Sequence, residues 1–164
     1  MTEIITRRDF VPVEMLFKGW SQGENLQQWW GPEGFSNTFY EFDFRNGGKW
    51  IFTMHGPDGK GYENESVFET VKENELILLH HISKPEYKAE FNFSATGSNK
   101  SSLIWKMVFT EQKAYDALKD IVTEKNEENL NRLETVIEKW KKNDAGEKKY
   151  CHNRRHHWYR PFCS

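Results

Sequence analysis

At the start of the chain, apolar and polar residues change from a loose alternation to a helical spacing. Residues 3–10 alternate and precede Pro12, which predicts a strand, a turn and a helix that begins beside the proline. Apolar residues then recur at helical spacing at Val13, Leu16, Phe17 and Trp20. A second short helix is predicted over residues 25–29, because Gly31 and Pro32 follow it and stop a helix.

From Phe35 to Phe109 the pattern changes to a period of two. Apolar segments with alternating residues are separated by turn-forming residues at 46–48, 57–59, 73–75 and 97–99. Consecutive strands joined by such short turns predict an antiparallel meander, curved around whatever its apolar face covers.

The chain after the strands has two apolar stripes at helical spacing. The first contains Ala114, Leu118, Ile121 and Val122; the second contains Leu130, Leu133, Val136, Ile137 and Trp140. The polar residues 124–129 between them predict a break. The second stripe must be buried against the sheet, so a helix over residues 126–142 is expected at the centre of the core.

Residues 144–164 differ from the body formed by residues 1–143. They are basic and show neither period, so they are interpreted as a mobile C-terminal tail. Residue types that bind metals occur in this tail at Cys151, His152, His156, His157 and Cys163. Their spacing matches no common zinc site, and therefore neither a metal nor another cofactor is predicted.

Composition narrows the class of protein. Aromatic residues make up 15% of the 164 residues, including seven Trp and twelve Phe, which is enough for a wide core or a lined hollow. A net charge of −2 argues against nucleic-acid binding, and no apolar run is long enough for a membrane span. The body contains no cysteine, which is typical of a reducing compartment, so a cytoplasmic location is expected.

Several stretches taken together resemble a known family. They are residues 12–20, 29–35, 41–50, 54–59 and 129–133. They are similar to the single-domain bacterial relatives of the activator of the heat-shock protein 90 ATPase, in the START-like SRPBCC superfamily. The resemblance implies an α+β helix-grip fold, also called START-like or Bet v 1-like. In this fold a curved antiparallel sheet surrounds a long C-terminal helix, and two small helices close one end, often over a hollow.

The inward faces of the strands and the last helix predict an apolar cleft. Such pockets hold roughly 300–1,000 Å³. The candidate ligand-binding residues are Trp30, Trp50, Phe52, Tyr87, Phe91, Phe93, Trp105, Met107, Leu130, Leu133 and Ile137.

Three other features leave alternatives open. The segment 29–32 is either the lip of a pocket or a helix stop whose rings cap the barrel end. Alternation places Tyr40, Phe42 and Phe44 toward the core, so the carboxylates between them are expected to face water rather than act as an acid–base pair. Only one of the adjacent His80 and His81 can look inward, either to orient a ligand or as a hydrogen-bonded structural residue.

The function favoured by these patterns is binding of an apolar small molecule. The alternative is a co-chaperone-like interaction module that contacts a chaperone or another protein, as the family name suggests. A cyclase- or hydrolase-like enzyme is a weaker candidate, because no catalytic residue is identified and no nucleophile motif occurs.

Overall fold

Over residues 2–153, the fold consists of seven strands and three helices. The computed structural model describes the backbone of residues 2–153 and the side chains of residues 2–145. In chain order the elements are β1 (Glu3–Phe10), α1 (Val13–Ser21), α2 (Gly23–Trp29), β2 (Ser36–Phe42), β3 (Lys49–His55), β4 (Gly61–Lys72), β5 (Leu76–His81), β6 (Tyr87–Gly97), β7 (Lys100–Phe109) and α3 (Gln112–Asn153).

All seven strands form one antiparallel sheet in the order β1-β7-β6-β5-β4-β3-β2. Strands β2 to β7 are therefore a meander, as the alternation predicts, and β1 is added beside β7. Helix α2 packs along β2 and α3 packs along β1, so both outer strands of the sheet have a helical neighbour. This is the helix-grip fold, and the predicted fold class is confirmed.

The expected alternation of β2 is wrong at one residue. A β-bulge shifts the pairing with β3 between Phe39 and Glu41, so that Tyr40 points outward and is 66% exposed. Phe39 takes the inward position instead, with its ring centroid 5.5 Å from that of Trp50. A bulge places two residues opposite one on the partner strand, and strict alternation cannot anticipate it.

The predicted break over residues 124–129 is also wrong, because α3 is one continuous helix of 42 residues. Glu and Lys in this stretch are good helix formers, and the two asparagines have partners or neighbours in the core. Asn126 and Asn129 are buried, and the Nδ2 atom of Asn126 lies 3.4 Å from Sδ of Met107. None of the helices in the described part of the chain has the length and apolar character needed to cross a membrane.

Helix α3 also continues past the predicted boundary at Asn143 and ends, in the described backbone, at Asn153. Gly146 alone lowers helix stability by only about 1 kcal/mol, and lysines follow it. In the predicted tail, the side chains after Ala145, including Cys151, His156 and Cys163, lie outside the described side chains. The division into a body and a mobile tail stays a prediction.

Helix α3 meets α1 at a close approach. A Cβ atom added to Gly19 would lie 2.9 Å from Cδ1 of Leu133, so a residue without a side chain allows the two helices to come this near. The Gly19 carbonyl also accepts a hydrogen bond of 3.0 Å from Nε1 of Trp29, which ties α2 to the same place. Leu133 and Ile137 are 0% and 2% exposed, as expected for the central helix.

We expect Leu133→Ala to lower the free energy of unfolding by about 2–5 kcal/mol, because it removes a fully buried side chain and leaves a cavity. Urea denaturation followed by fluorescence measures the change. Ile121→Ala is the matched control on the same helix, since Ile121 is 55% exposed; its effect should stay within about 0.5 kcal/mol. Equal losses in the two variants would contradict a central position for α3.

Candidate ligand-binding site

The predicted ligand-binding residues come together on the inner side of the sheet and on α3. Ten of the eleven are buried in one core cluster, and Tyr87 is half-buried against it. Side chains occupy the interior between the sheet and α3, where ring contacts connect Trp30, Trp50, Phe52, Phe91 and Trp105. The binding role of these residues stays a prediction.

The ring of Trp30 is inserted among rings from three different strands. Its centroid lies 5.2 Å from that of Trp50 on β3, 5.6 Å from Trp105 on β7 and 6.3 Å from Phe91 on β6. Trp30 itself belongs to no strand, because it is the residue that ends α2. One side chain from a connecting segment therefore fills the space between three strands.

A single guanidinium holds this connecting segment on α3. Nη1 of Arg132 donates to the carbonyls of Trp30, Gly31 and Pro32 at 3.3, 2.9 and 3.1 Å, and Nη2 donates to the Gln28 carbonyl at 3.2 Å. Carbonyls at a helix C-terminus lack intrahelical partners and carry partial negative charge, which a cation neutralises. Burial lowers the pKa of Arg132 from its ordinary value, but a guanidinium stays charged.

Asn37 provides the second attachment of the segment. The Asn37 side chain donates through Nδ2 to the Trp30 carbonyl at 2.7 Å. The backbone carbonyl of Asn37 accepts a hydrogen bond from Nε2 of Gln27 at 2.8 Å. Gly31 has φ +99°, and a Cβ atom there would lie 3.0 Å from Sδ of Met54. The carbonyls of residues 30–32 are thus bound by side chains rather than by a neighbouring strand.

Sequence reasoning missed both Arg132 and Asn37. Arg132 is next to a residue of the apolar stripe, and its partner Gly31 lies 101 positions earlier in the chain. The only signal was that the segments containing Arg132 and Gly31 both belong to the stretches that resemble the family.

Several polar atoms inside the core have no hydrogen-bond partner among the described residues. They are Nε1 of Trp20, Trp50 and Trp105, Oγ of Ser66, and Oδ1 of Asn37 and Asn129. Leaving one such group unpaired costs about 1–3 kcal/mol, and native interiors contain few of them. Ser66 lies opposite Trp50 on the next strand and is fully buried, so two of these groups are neighbours in the sheet.

Of the two adjacent histidines, His81 looks inward, and the expectation of one inward histidine is confirmed. The His81 ring stacks on Tyr87 with centroids 4.5 Å apart, and its Nδ1 and Nε2 lie 3.2 Å from the Pro85 carbonyl and 2.8 Å from Oδ1 of Asn64. Burial lowers the pKa of His81 and raises the pKa of the Tyr87 hydroxyl. Both side chains are therefore uncharged at neutral pH.

A separate cavity lies at the surface of the described part of the chain. It has a volume of about 440 Å³ and lies between α1 and the β4–β5 turn, with Phe17, Phe44 and Val71 among its walls. It includes none of the predicted ligand-binding residues, and Lys18 at its rim lies over the Trp140 ring at 5.3 Å. Among the side chains that the structure describes, no His, Cys, Asp and Glu group is arranged to hold a metal ion.

A curved antiparallel sheet around a long helix, closed at one end by two short helices, defines a helix-grip protein with an aromatic interior. Residues 11–138 match the family model described as Activator of Hsp90 ATPase homolog 1-like protein. The chain belongs to this family, which confirms the resemblance seen in the sequence. None of the curated proteins compared with the chain matches it.

Solved structures of bacterial proteins share the fold. A protein of Arthrobacter aurescens is 18% identical with a TM-score of 0.78, and the match covers 84% of this chain and 87% of that one. A protein of Nitrosomonas europaea is 17% identical with a TM-score of 0.75, covering 84% and 95%. The AHSA1 protein of Silicibacter pomeroyi is 24% identical with a TM-score of 0.68, covering 81% and 95%.

The neutral state of buried His81 makes stability depend on pH. Because its pKa is below the ordinary 6.5, the unfolded chain takes up a proton more readily than the folded protein. The stabilising effect is present above about pH 6.5 and is lost as the pH falls below that value. We expect His81→Gln to flatten the free energy of unfolding between about pH 7.5 and pH 5 in urea titrations.

His55→Gln is the comparison variant for this experiment, because it also removes one imidazole but leaves His81 and its partners in place; His55 lies at the end of β3 and bonds to Thr38 at the surface. A His81→Gln variant with the wild-type slope would show that His81 does not bear on acid stability.

Proposed function

We propose that this protein binds an apolar small molecule in the interior between the sheet and α3, in a site reached when the Trp30 ring moves out. The observation that carries the proposal is the position of this ring. It lies among Trp50, Trp105 and Phe91, yet it is part of a segment attached by side-chain hydrogen bonds. Movement of Trp30 together with its segment would leave a space at least the size of an indole, with aromatic walls on several sides.

The energy needed to open this site limits the size of the ligand. An indole buries roughly 150–250 Å², and exposing that area costs about 4–6 kcal/mol at roughly 25 cal/mol per Å². A ligand must bury more apolar area than Trp30 gives up if binding is to be favourable. Compounds with two or three fused rings meet this condition, whereas a single benzene ring does not.

The remaining predicted residues have defined roles in this proposal. Leu130, Leu133 and Ile137 of α3 would form the wall opposite the sheet, and the half-buried Tyr87 would lie at its margin. Phe52, Phe93 and Met107 would support the rings that contact the ligand.

Titration with aromatic compounds of one, two and three rings tests the proposal. We expect two- and three-ring compounds to show saturable binding, tighter for three rings than for two because more apolar area is buried, and single rings to bind far more weakly. Calorimetry should give a negative heat-capacity change and little dependence on salt. A flat response from protein shown to be folded would remove the proposal.

Access to the site should depend on Arg132. We expect Arg132→Gln to lose most of the four hydrogen bonds to residues 28–32, so that these amides exchange with deuterium faster and two-ring probes associate faster. Arg8→Gln is a suitable control, because Arg8 also bonds to α3, at Asn131 and Glu127, but not to this segment. Unchanged exchange at residues 28–32 in Arg132→Gln would contradict a holding role for the guanidinium.

Contact with a chaperone is the second candidate function, and the description of the family model is the observation that favours it. Exposed apolar residues give this candidate less support, because they are distributed over four strands, the segment after β5 and α3: Ile5, Tyr40, Tyr62, Ile82, Val108 and Ile121. Stimulation of the ATPase of a purified heat-shock protein 90 chaperone tests it. Stimulation together with a flat ligand titration would favour partner binding.

A further inference from the structure

The two tryptophans that flank Trp30 each point a buried, unpaired N–H group into the interior. Nε1 of Trp50 and Nε1 of Trp105 have no partner among the described residues, and both rings contact the ring of Trp30. An indole nitrogen can only donate a hydrogen bond, so each of these groups requires an acceptor. The side chain that occupies the space between them, another indole, offers no acceptor atom.

Pairing of a buried indole is possible in this core, as Trp29 demonstrates. Its Nε1 donates to the Gly19 carbonyl at 3.0 Å, within the same group of contacting rings. Among the described residues, Nε1 is unpaired in Trp20, Trp50 and Trp105, and the rings of the last two contact the ring of Trp30. The hydroxyl of Ser66, opposite Trp50 on the adjacent strand, adds a further group without a partner.

The interior offers no charge to a ligand. Among the described residues, no Asp, Glu, Lys or Arg is buried. Burial keeps His81 and Tyr87 uncharged by lowering the pKa of the first and raising the pKa of the second. The guanidinium of Arg132 is already bound to four backbone carbonyls. An ionised ligand would leave water without a compensating partner, which is strongly unfavourable.

We infer that the ligand of the interior site is a neutral fused-ring compound with a hydrogen-bond-accepting oxygen, such as a carbonyl, that accepts from Nε1 of Trp50 or Trp105. The inference rests on the proposed function and names the chemical class of its ligand. The rings of the ligand would take the place of the Trp30 indole. Its oxygen would supply the acceptor that the Trp30 side chain lacks.

Three probes with the same rings separate the contribution of the apolar rings to affinity from those of an accepting oxygen and a negative charge. They are 2-ethylnaphthalene, 2-acetylnaphthalene and 2-naphthoate. One hydrogen bond to a buried neutral donor is worth roughly three- to tenfold in affinity, so the ketone should bind more tightly than the hydrocarbon by that factor. The carboxylate should bind at least about tenfold more weakly than the ketone, because its charge is desolvated without a counter-charge.

The indole N–H resonances of ¹⁵N-labelled protein report the contact directly. Addition of 2-acetylnaphthalene should move the Nε1–H signal of Trp50 or Trp105 downfield, as expected for a new hydrogen bond. The ethyl compound should not produce this shift. The Nε1–H signal of Trp29 serves as an internal reference, because that group is already paired. This measurement uses the unmodified chain and does not depend on the folding of a variant.

Variants add an independent comparison. Trp50→Phe and Trp105→Phe remove the donor but keep an aromatic ring, and the variant of the donating residue should bind ketone and hydrocarbon equally. Trp29→Phe also exchanges one buried indole for phenyl, but its N–H is not available to a ligand, so the preference for the ketone should remain.

Each outcome decides between the inference and the function on which it rests. Equal affinity for ketone and hydrocarbon, tightest binding of the carboxylate, or ketone binding without a shift at Trp50 or Trp105 would overturn the ligand class while the apolar site stands. Absence of binding by all three probes to folded protein would overturn both. A preference for the ketone, with the shift and its loss in one Phe variant, supports the inference.

Discussion

The contact between Arg132 and four backbone carbonyls determines where the chain between α2 and β2 can lie. This segment has no strand partner for the carbonyls of residues 30–32, and it has to cover the end of the sheet with its own backbone. A planar guanidinium can donate to several carbonyls at once, whereas a lysine ammonium acts as a compact point charge. The position of Trp30 therefore depends on Arg132, which lies 102 positions later in the chain. The same contact closes the aromatic interior.

The interior is well packed with apolar side chains, but several of its buried polar groups have no hydrogen-bond partner among the described residues. Rings from α1, α2 and the inner sheet face contact one another, and Leu133 is fully buried against them. Yet Trp50, Trp105 and Ser66 each have a polar atom in this apolar surrounding that finds no partner in the described part of the chain. A core selected only for stability would contain phenylalanine and alanine at such positions, because each unpaired group costs about 1–3 kcal/mol. Buried groups that lower stability in this way are expected where a site serves a function.

Neither the family nor the fold determines which ligand this protein binds. The ligand has to be inferred from the side chains that line the interior. A fold supports many functions, and the function has to be argued from the chemistry of a site. The solved relatives are 17–24% identical, a level that supports the common architecture and no more. The features from which the ligand class is argued are the inserted Trp30 ring, the neutral His81 and Tyr87, and the Nε1 groups of Trp50 and Trp105.

The order of strands and helices could be predicted from the sequence, because alternation, helical spacing and turn residues are local properties. The bounds of β1 agree with the predicted strand, and the eleven candidate residues include those that surround Trp30. The inward direction of ten of them followed from local periodicity, since they lie on regular parts of β3, β6 and β7 or on the apolar stripe of α3, whereas Trp30 ends α2.

Only the tertiary structure decided the features that depend on partners distant in the chain. The bulge at Phe39 and Glu41 depends on the pairing of β2 with β3, and α3 stays continuous because Asn126 lies against β1 and β7. Arg132 and Gly31 are 101 residues apart, and no local pattern marks a hydrogen bond over that separation. Whether a buried indole finds an acceptor is likewise a matter of which backbone carbonyl comes within reach, as it does for Trp29 and does not for Trp50 or Trp105. Periodicity determines which side of an element a residue faces; the atoms it meets there are determined by the packing of the whole chain.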